Sequence, residues 1–248
     1  MENDELIRRA EDLSRRCEKT TSVTHTAFLT PAEQFALASW AKNIDCKMLF
    51  VGGAAEAERR AAFFLPFYME EDELAADEYI AAIKCTAHFG EPTHRDYMGA
   101  VLGLGIKREW LGDIWISGPT AQIFVLKSVE RHILDGLDKV GRYGVKPAPM
   151  QLCEVKAPER RVKKLTFSVK SMRFDAVVAG MFGLSRTSAV SAIAEGAASL
   201  NYSPCLKNDA VVSEGDIISL RGHGKGTVAS LGGTSRKGRL FVSVEILL

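Results

Sequence analysis

From Tyr79 to Lys156 the apolar residues change their spacing in a fixed order, and that order limits the chain more than any other feature. YIAAIKCTAHF, at Tyr79–Phe89, reads as a strand. Thr93 opens a helical stretch through HRDYMGAVLGLG, which Gly105 ends. DIWIS and QIFVLK are two strands around Gly118-Pro119-Thr120-Ala121, a hairpin signal. Ser128 caps VERHILDGLDKV, Gly141 and Gly144 close it, and LCEVK supplies a last strand. The order β-α-β-β-α-β is that of a ferredoxin-like (RRM-like) split βαβ sheet, here assigned to residues 74–156. That topology serves many functions. The aromatic signature with which some such sheets stack RNA bases is absent from these strands.

The flanks differ from this segment, and the fold class is α+β in three domains. Residues 1–73 read as a small α/β domain. Leu6, Ile7, Ala10 and Leu13 recur with a helical period. Thr30, Pro31 and Glu33 start a second helix, with Phe35, Leu37, Ala38 and Trp40 as its core stripe. CKMLFVGG reads as a strand, and AAEAERRAAFFLPFY as a helix broken near Pro66. The acidic run Glu70–Glu73 is a solvated boundary or a surface for a protein partner. PAPMQLCEVKAPERRVKK, with three prolines and a basic end, reads as a linker. Residues 165–248 then give a helix ended by Gly183, a second capped by Ser185 and ended by Gly196, and short strands: ASLNY, DIISL after the turn Ser213-Glu214-Gly215, GTVASL and RLFVSVEILL.

Charge points to one end. The net +1 of the 248 residues conceals −6 over residues 1–90, +1 over 91–160 and +6 over 161–248. A basic terminal module is what neutralising phosphates requires. The five cysteines are scattered, without a C-x-x-C, and read as buried reduced thiols. No apolar run approaches the roughly 20 residues of a membrane span, and MENDELIRRAEDLSRR is too charged for a secretory signal. The expectation is a cytoplasmic protein without a membrane partner.

Enzyme motifs fail on inspection. His94-Arg95-Asp96 has the start of a kinase catalytic loop, but Val101 stands where Asn is required. Gly103-Leu104-Gly105 is followed by Arg108 where a dinucleotide fold needs glycine, and Arg239 replaces the Lys-Ser/Thr of a phosphate loop after Gly233 and Gly238. Cys85, His88 and His94 lack a fourth ligand for a metal. No catalytic residues, metal or cofactor are assigned.

Basic residues placed to meet phosphate do recur. Ser185 starts a helix whose N–H groups and dipole face an anion. Arg186 and Thr187 follow it, Arg173 precedes the neighbouring helix, and Lys207 lies on the next loop. Arg221, Lys225, Arg236 and Lys237 alternate with glycines beyond them. These last form either basic hairpin turns or further RNA contacts.

Arg173-Phe174-Asp175, Gly183-Leu184-Ser185-Arg186-Thr187, Ile193, Glu195-Gly196, Asn201 and Glu214-Gly215-Asp216-Ile217-Ile218 together resemble the S-four RNA-binding domain, named for a ribosomal small-subunit protein. Its second helix here, TSAVSAIAEG, lacks the further basic residues many members carry. Over nearly the whole chain, His94-Arg95-Asp96-Tyr97-Met98-Gly99-Ala100, Gly105-Ile106-Lys107-Arg108, Gly112-Asp113-Ile114, Phe28–Gln34, Gly52–Pro66, Val140-Gly141-Arg142 and Arg221–Lys225 resemble the YlmH family. The resemblance implies a non-catalytic protein that binds rRNA or tRNA on the ribosome. It points to the large subunit stalled with peptidyl-tRNA, in rescue or quality control of translation. Lys107, Arg108 and Arg142 then form a second RNA-facing patch, which supplements the C-terminal one by multivalency. The alternatives are a subunit of an RNA-modifying enzyme, of pseudouridine synthase or methyltransferase type, and a protein-interaction adaptor acting through the acidic N-terminal segment.

Overall fold

The computed structural model describes residues 2–42, 46–158, 162–234 and 238–247. The chain divides into two units, Met1–Pro158 and Glu159–Leu248. Both mix helices with antiparallel sheet, an α+β architecture.

In the first unit α1 (Glu2–Thr20) and α2 (Pro31–Ala41) flank β1 (Thr24–Leu29), and β2 (Lys47–Val51) and β3 (Arg60–Leu65) follow. The sheet runs β1-β3-β2, antiparallel throughout. Thr30 caps α2 through a capping box, with its N–H donating to Glu33 Oε2 at 2.6 Å. The α1 residues Ala10 and Cys17 pack with Leu37, Ala62 and Phe64. β1 carries a bulge between His25 and Phe28, and the buried Thr26 hydroxyl fills it by accepting from Ala62 N at 2.9 Å.

The helix expected over Ala54–Tyr68 is instead the strand β3, a correction with a clear cause. Ala-Glu-Arg composition favours helix locally, but β3 is central and almost wholly buried between two partners. Pairing and burial on both faces outweigh an intrinsic preference below about 1 kcal/mol per residue.

The rest of this unit is β4 (Ile80–Ala87), α3 (His94–Gly103), β5 (Leu111–Ser117), β6 (Thr120–Leu126), α4 (Lys127–Gly136), β7 (Lys139–Val140) and β8 (Tyr143–Met150). They form an antiparallel sheet of order β5-β6-β4-β8-β7, in the expected β-α-β-β-α-β succession. β4 alternates its two faces. Ala81, Ile83 and Cys85 meet Tyr97 and Val101 of α3 and Ile133 of α4. Ile80 and Ala82, with Phe124, meet Phe28, Ala61 and Phe63 of the first sheet. Residues 1–73 and 74–156 therefore share a core.

Two local expectations are corrected. Ser128 is not the cap of α4, because Lys127 already begins the helix and donates its N–H to Tyr79 O at 2.7 Å. The last strand is Tyr143–Met150, so Pro147–Met150 belongs to the sheet and not to a linker, while Leu152–Glu154 is a 3-10 turn.

The second unit comprises β9 (Val162–Val169), α5 (Phe174–Phe182), α6 (Arg186–Ala194), β10 (Ala198–Leu200), β11 (Ser203–Pro204), β12 (Ile217–Leu220), β13 (Gly224–Thr234) and β14 (Leu240–Leu247). One antiparallel sheet of order β11-β10-β12-β13-β14-β9 packs under the two helices. Phe174, Val177, Met181, Ala189 and Ile193 bury against Val169, Ile218, Val228, Val242 and Val244. Gly183, at φ 68°, ends α5 in the left-handed conformation that glycine adopts without penalty. Gly180 is also required: a Cβ there would lie 2.3 Å from the Phe167 ring. The basic end of the expected linker, Val162-Lys163-Lys164, is the start of β9, whose exposed edge reads as polar. Among the described residues no single helix is long and apolar enough to cross a membrane.

Cys17 and Cys85 are buried, and burial pushes their thiols up to about 11 and about 12. Cys46 and Cys205 are half-buried, and Cys153 is exposed on the 3-10 turn, so the expectation of uniform burial is corrected.

Candidate nucleic-acid interface

In the second unit the turn between α5 and α6 brings two arginines onto one carboxylate. Arg173 is the N-cap residue of α5 and Arg186 the first residue of α6. Asp175 is 3% exposed. Arg173 donates through Nε and Nη2 at 3.3 Å each, and Arg186 through Nη2 to Oδ1 and Oδ2 at 3.0 and 3.1 Å. Burial alone would raise the Asp175 pKa, but the hydrogen bonds and charges of the two guanidiniums outweigh it and hold it below its ordinary value. Two cations share one buried anion, the charge of Asp209 also acts on Arg173, and both arginine side chains stay about half exposed.

Ser185 caps α6 by accepting from Ser188 N at 3.0 Å, with Thr187 exposed beside it. The loop after β11 closes against α5: Phe174 N donates to Ala210 O at 2.8 Å and Asp175 N to Asn208 O at 3.0 Å. This loop carries the exposed Lys207. Arg173, Ser185, Arg186 and Thr187 are thus brought together at one pair of helix starts. Arg221 is exposed on the β12–β13 turn, and Lys225 lies over the Tyr202 ring at 5.8 Å. Arg236 and Lys237 lie outside the described residues.

The candidates of the first unit fall on two sites. The first is largely turned inward. Arg59 donates to Leu111 O at 3.1 Å and Phe28 O at 2.9 Å, and Arg108 to the same Leu111 O at 2.7 Å. Asp113 accepts from the N–H groups of Glu58 and Arg59 at 2.6 and 3.2 Å. Burial lowers the pKa of both guanidiniums, with the charge of Arg108 adding to the effect on Arg59. Lys107 leans over Trp110 at 5.2 Å. Arg108 therefore has a structural partner that its place in the sequence did not reveal.

The second site lies where β4 ends beside the β7–β8 turn. Arg142 donates to the Tyr143 hydroxyl at 3.2 Å and stands 5.2 Å from that ring's centre. Phe89 meets Tyr143 edge-on, with centroids 5.6 Å apart, and is 62% exposed. Sequence reasoning found Arg142 but missed both rings. The available signal was an aromatic residue at a strand end, next to His88 and Gly90.

Residues 2–64 match a family model described as "YlmH, N-terminal", and residues 76–156 one described as "Putative RNA-binding domain in YlmH". The "Ribosome-associated protein quality control protein P2" of Bacillus subtilis (strain 168) is 28% identical over 240 residues, which is 97% of this chain and 93% of that protein. The solved structure of "Cell division protein ylmH from Streptococcus pneumoniae" superposes with a TM-score of 0.52 at 21% identity. It covers 62% of this chain and 94% of its own, and that likeness concerns the fold alone.

Proposed function

The chain belongs to the YlmH family, and on that premise we propose that it is a non-catalytic, cytoplasmic protein that binds rRNA or tRNA on the ribosome. It acts on the large subunit, in rescue or quality control of stalled translation. In this reading residues 1–73 form an N-terminal domain, 74–156 a ferredoxin-like RNA-binding domain and 165–248 an S-four domain. The observation that carries the reading is the Asp175 cluster. One buried carboxylate fixes Arg173 and Arg186 at adjoining helix starts and leaves both about half exposed, which presents planar donors to phosphate at little further cost in ordering. The relative named for ribosome-associated quality control supports the ribosome as the setting. Ser185, Thr187, Lys207, Arg221, Lys225, Arg236 and Lys237 extend the C-terminal contact, and Lys107, Arg108 and Arg142 supply a second. The exposed acidic run Glu70–Glu73 serves a protein partner.

Cosedimentation with isolated ribosomal subunits across a salt series tests this. Binding to the large subunit that weakens steeply with salt is the expected result. Salt-insensitive binding, or binding to a protein partner with no RNA, would overturn it in favour of an adaptor.

A further inference from the structure

At the end of β4 the first unit exposes an aromatic pair with a guanidinium against it. β4 and β8 pair as far as Ala87↔Val145, and His88 N continues the ladder to Gly144 O at 3.0 Å. There Phe89, just past the end of β4, meets Tyr143, which pairs with Val140 at the β7–β8 turn, at an angle of 65°. The Tyr143 ring lies so close to the chain at Gly90 that a Cβ there would be 2.4 Å from it, and Gly90 has φ 71°. Gly141, at φ 59°, makes the turn that brings Arg142 onto the same ring. Tyr143 is thus held by Gly90, Phe89 and Arg142, while Phe89 is left 62% exposed. Phe89 thus presents a large apolar ring to solvent, edge-on to a second ring that carries a guanidinium. Arg95 is exposed near the start of α3, where its charge and that of Arg142 both act on Asp96. Asp96 is engaged by Thr93 in the capping box of α3.

We infer that Phe89, supported by Tyr143 and Arg142, is a stacking platform for one unpaired nucleobase of RNA. Every base has a π-face, so an exposed ring takes it without reading its identity, and the neighbouring guanidinium groups take the flanking phosphates. A paired base within a duplex is already stacked and cannot reach it. The platform therefore directs the first unit to loops, bulges or ends, whereas the Arg173–Arg186 cluster of the second unit meets phosphate of any structure. This inference rests on the RNA-binding reading and gives it a substrate class.

The test uses the full chain and two RNAs, a hairpin with 2-aminopurine in its loop and a blunt duplex of the same stem. The unsubstituted protein is expected to quench the 2-aminopurine and to prefer the hairpin. Phe89→Ala is expected to lose about five- to a hundredfold in hairpin affinity, to abolish quenching and to leave duplex affinity unchanged. Phe89→Trp should restore both. Phe89→Leu keeps the apolar packing without the ring and guards against a folding defect; it should behave as Phe89→Ala does. If the hairpin is bound and Phe89→Ala changes neither its affinity nor the quenching, the platform is refuted while RNA binding stands. If the unsubstituted protein binds neither RNA, the RNA-binding reading itself fails and the platform with it.

Discussion

Arg59 and Arg186 are the same side chain set in opposite relation to solvent. Arg59 and its neighbour Arg108 donate to the main-chain carbonyls of Leu111 and Phe28, and Asp113 binds the chain at Glu58 and Arg59. The effect is to tie β1, β3 and the start of β5 together. Arg186 shares a buried carboxylate with Arg173 and remains half exposed. The difference lies in what accepts the guanidinium. Backbone carbonyls use up its donors inside the unit, while one carboxylate shared between two arginines leaves both side chains about half exposed to water. A basic residue count cannot separate these uses; the acceptor does.

The comparison breaks most visibly at Arg59. Arg59→Ala is expected to lower the stability of the first unit by about 2–3 kcal/mol, since it strands part-buried carbonyls and removes a packed stem. Urea unfolding followed by tryptophan fluorescence measures this. A loss under about 0.5 kcal/mol, the level of an ordinary surface change, would mean that Arg59 is no brace.

Arg186→Ala combined with Lys207→Ala should act in the opposite way. RNA affinity is expected to fall about tenfold and the salt slope to become shallower by about two, one per phosphate contact. Stability should fall by about 1–3 kcal/mol, because the buried Asp175 loses one of its two partners and keeps Arg173. Filter binding over a salt series, with thermal melts alongside, checks both. Unchanged affinity and salt slope would place Arg186 with Arg59.

A subtler effect concerns acid. The folded-state pKa of Asp175 is held below its ordinary value of 3.8. Its ionised form therefore contributes stability that is fully present above that value and is lost as pH falls below it. Asp175→Asn should flatten the acid limb of the second unit's unfolding curve, read by circular dichroism from pH 6 downwards. An unchanged limb would mean the carboxylate is not the link between the two arginines.

The smallest expected effect compares caps. Thr30→Ala in the first unit and Ser185→Ala in the second should each cost about 1 kcal/mol, with only the latter also weakening RNA binding. Parallel melts and binding curves test it.

How much of this was legible in the sequence depended on the range of the interaction involved. The caps Thr30, Thr93 and Ser185 are readable because each cap hydroxyl and the N–H that donates to it lie three residues apart. The middle sheet was readable because β4, β5 and β6 carry runs long enough to show their period. β1 escaped notice, and β3 was taken for a helix, because their identity rests on pairing across some 35 residues. β9 was hidden by its lysines, which suit an edge strand as well as a linker. At the site, Arg173 and Arg186 were found from local chemistry and a resemblance. That Asp175 joins them could not be seen from a separation of 11 residues across a turn. The braces of Arg59 and Asp113 span more than 50 residues and left no local trace.

β9 and β14 pair along their whole lengths, from Val169↔Leu240 to Val162↔Leu247. The first strand of the second unit is thus completed by its last. On a chain emerging from its own ribosome, β9 waits with an unsatisfied edge until every intervening element has been synthesised. That pairing is long-range, so the loop between the two strands must close before it contributes, which slows this step relative to a local hairpin. During that interval Lys163 and Lys164 keep the waiting edge charged, which discourages a second nascent chain from taking the place of β14.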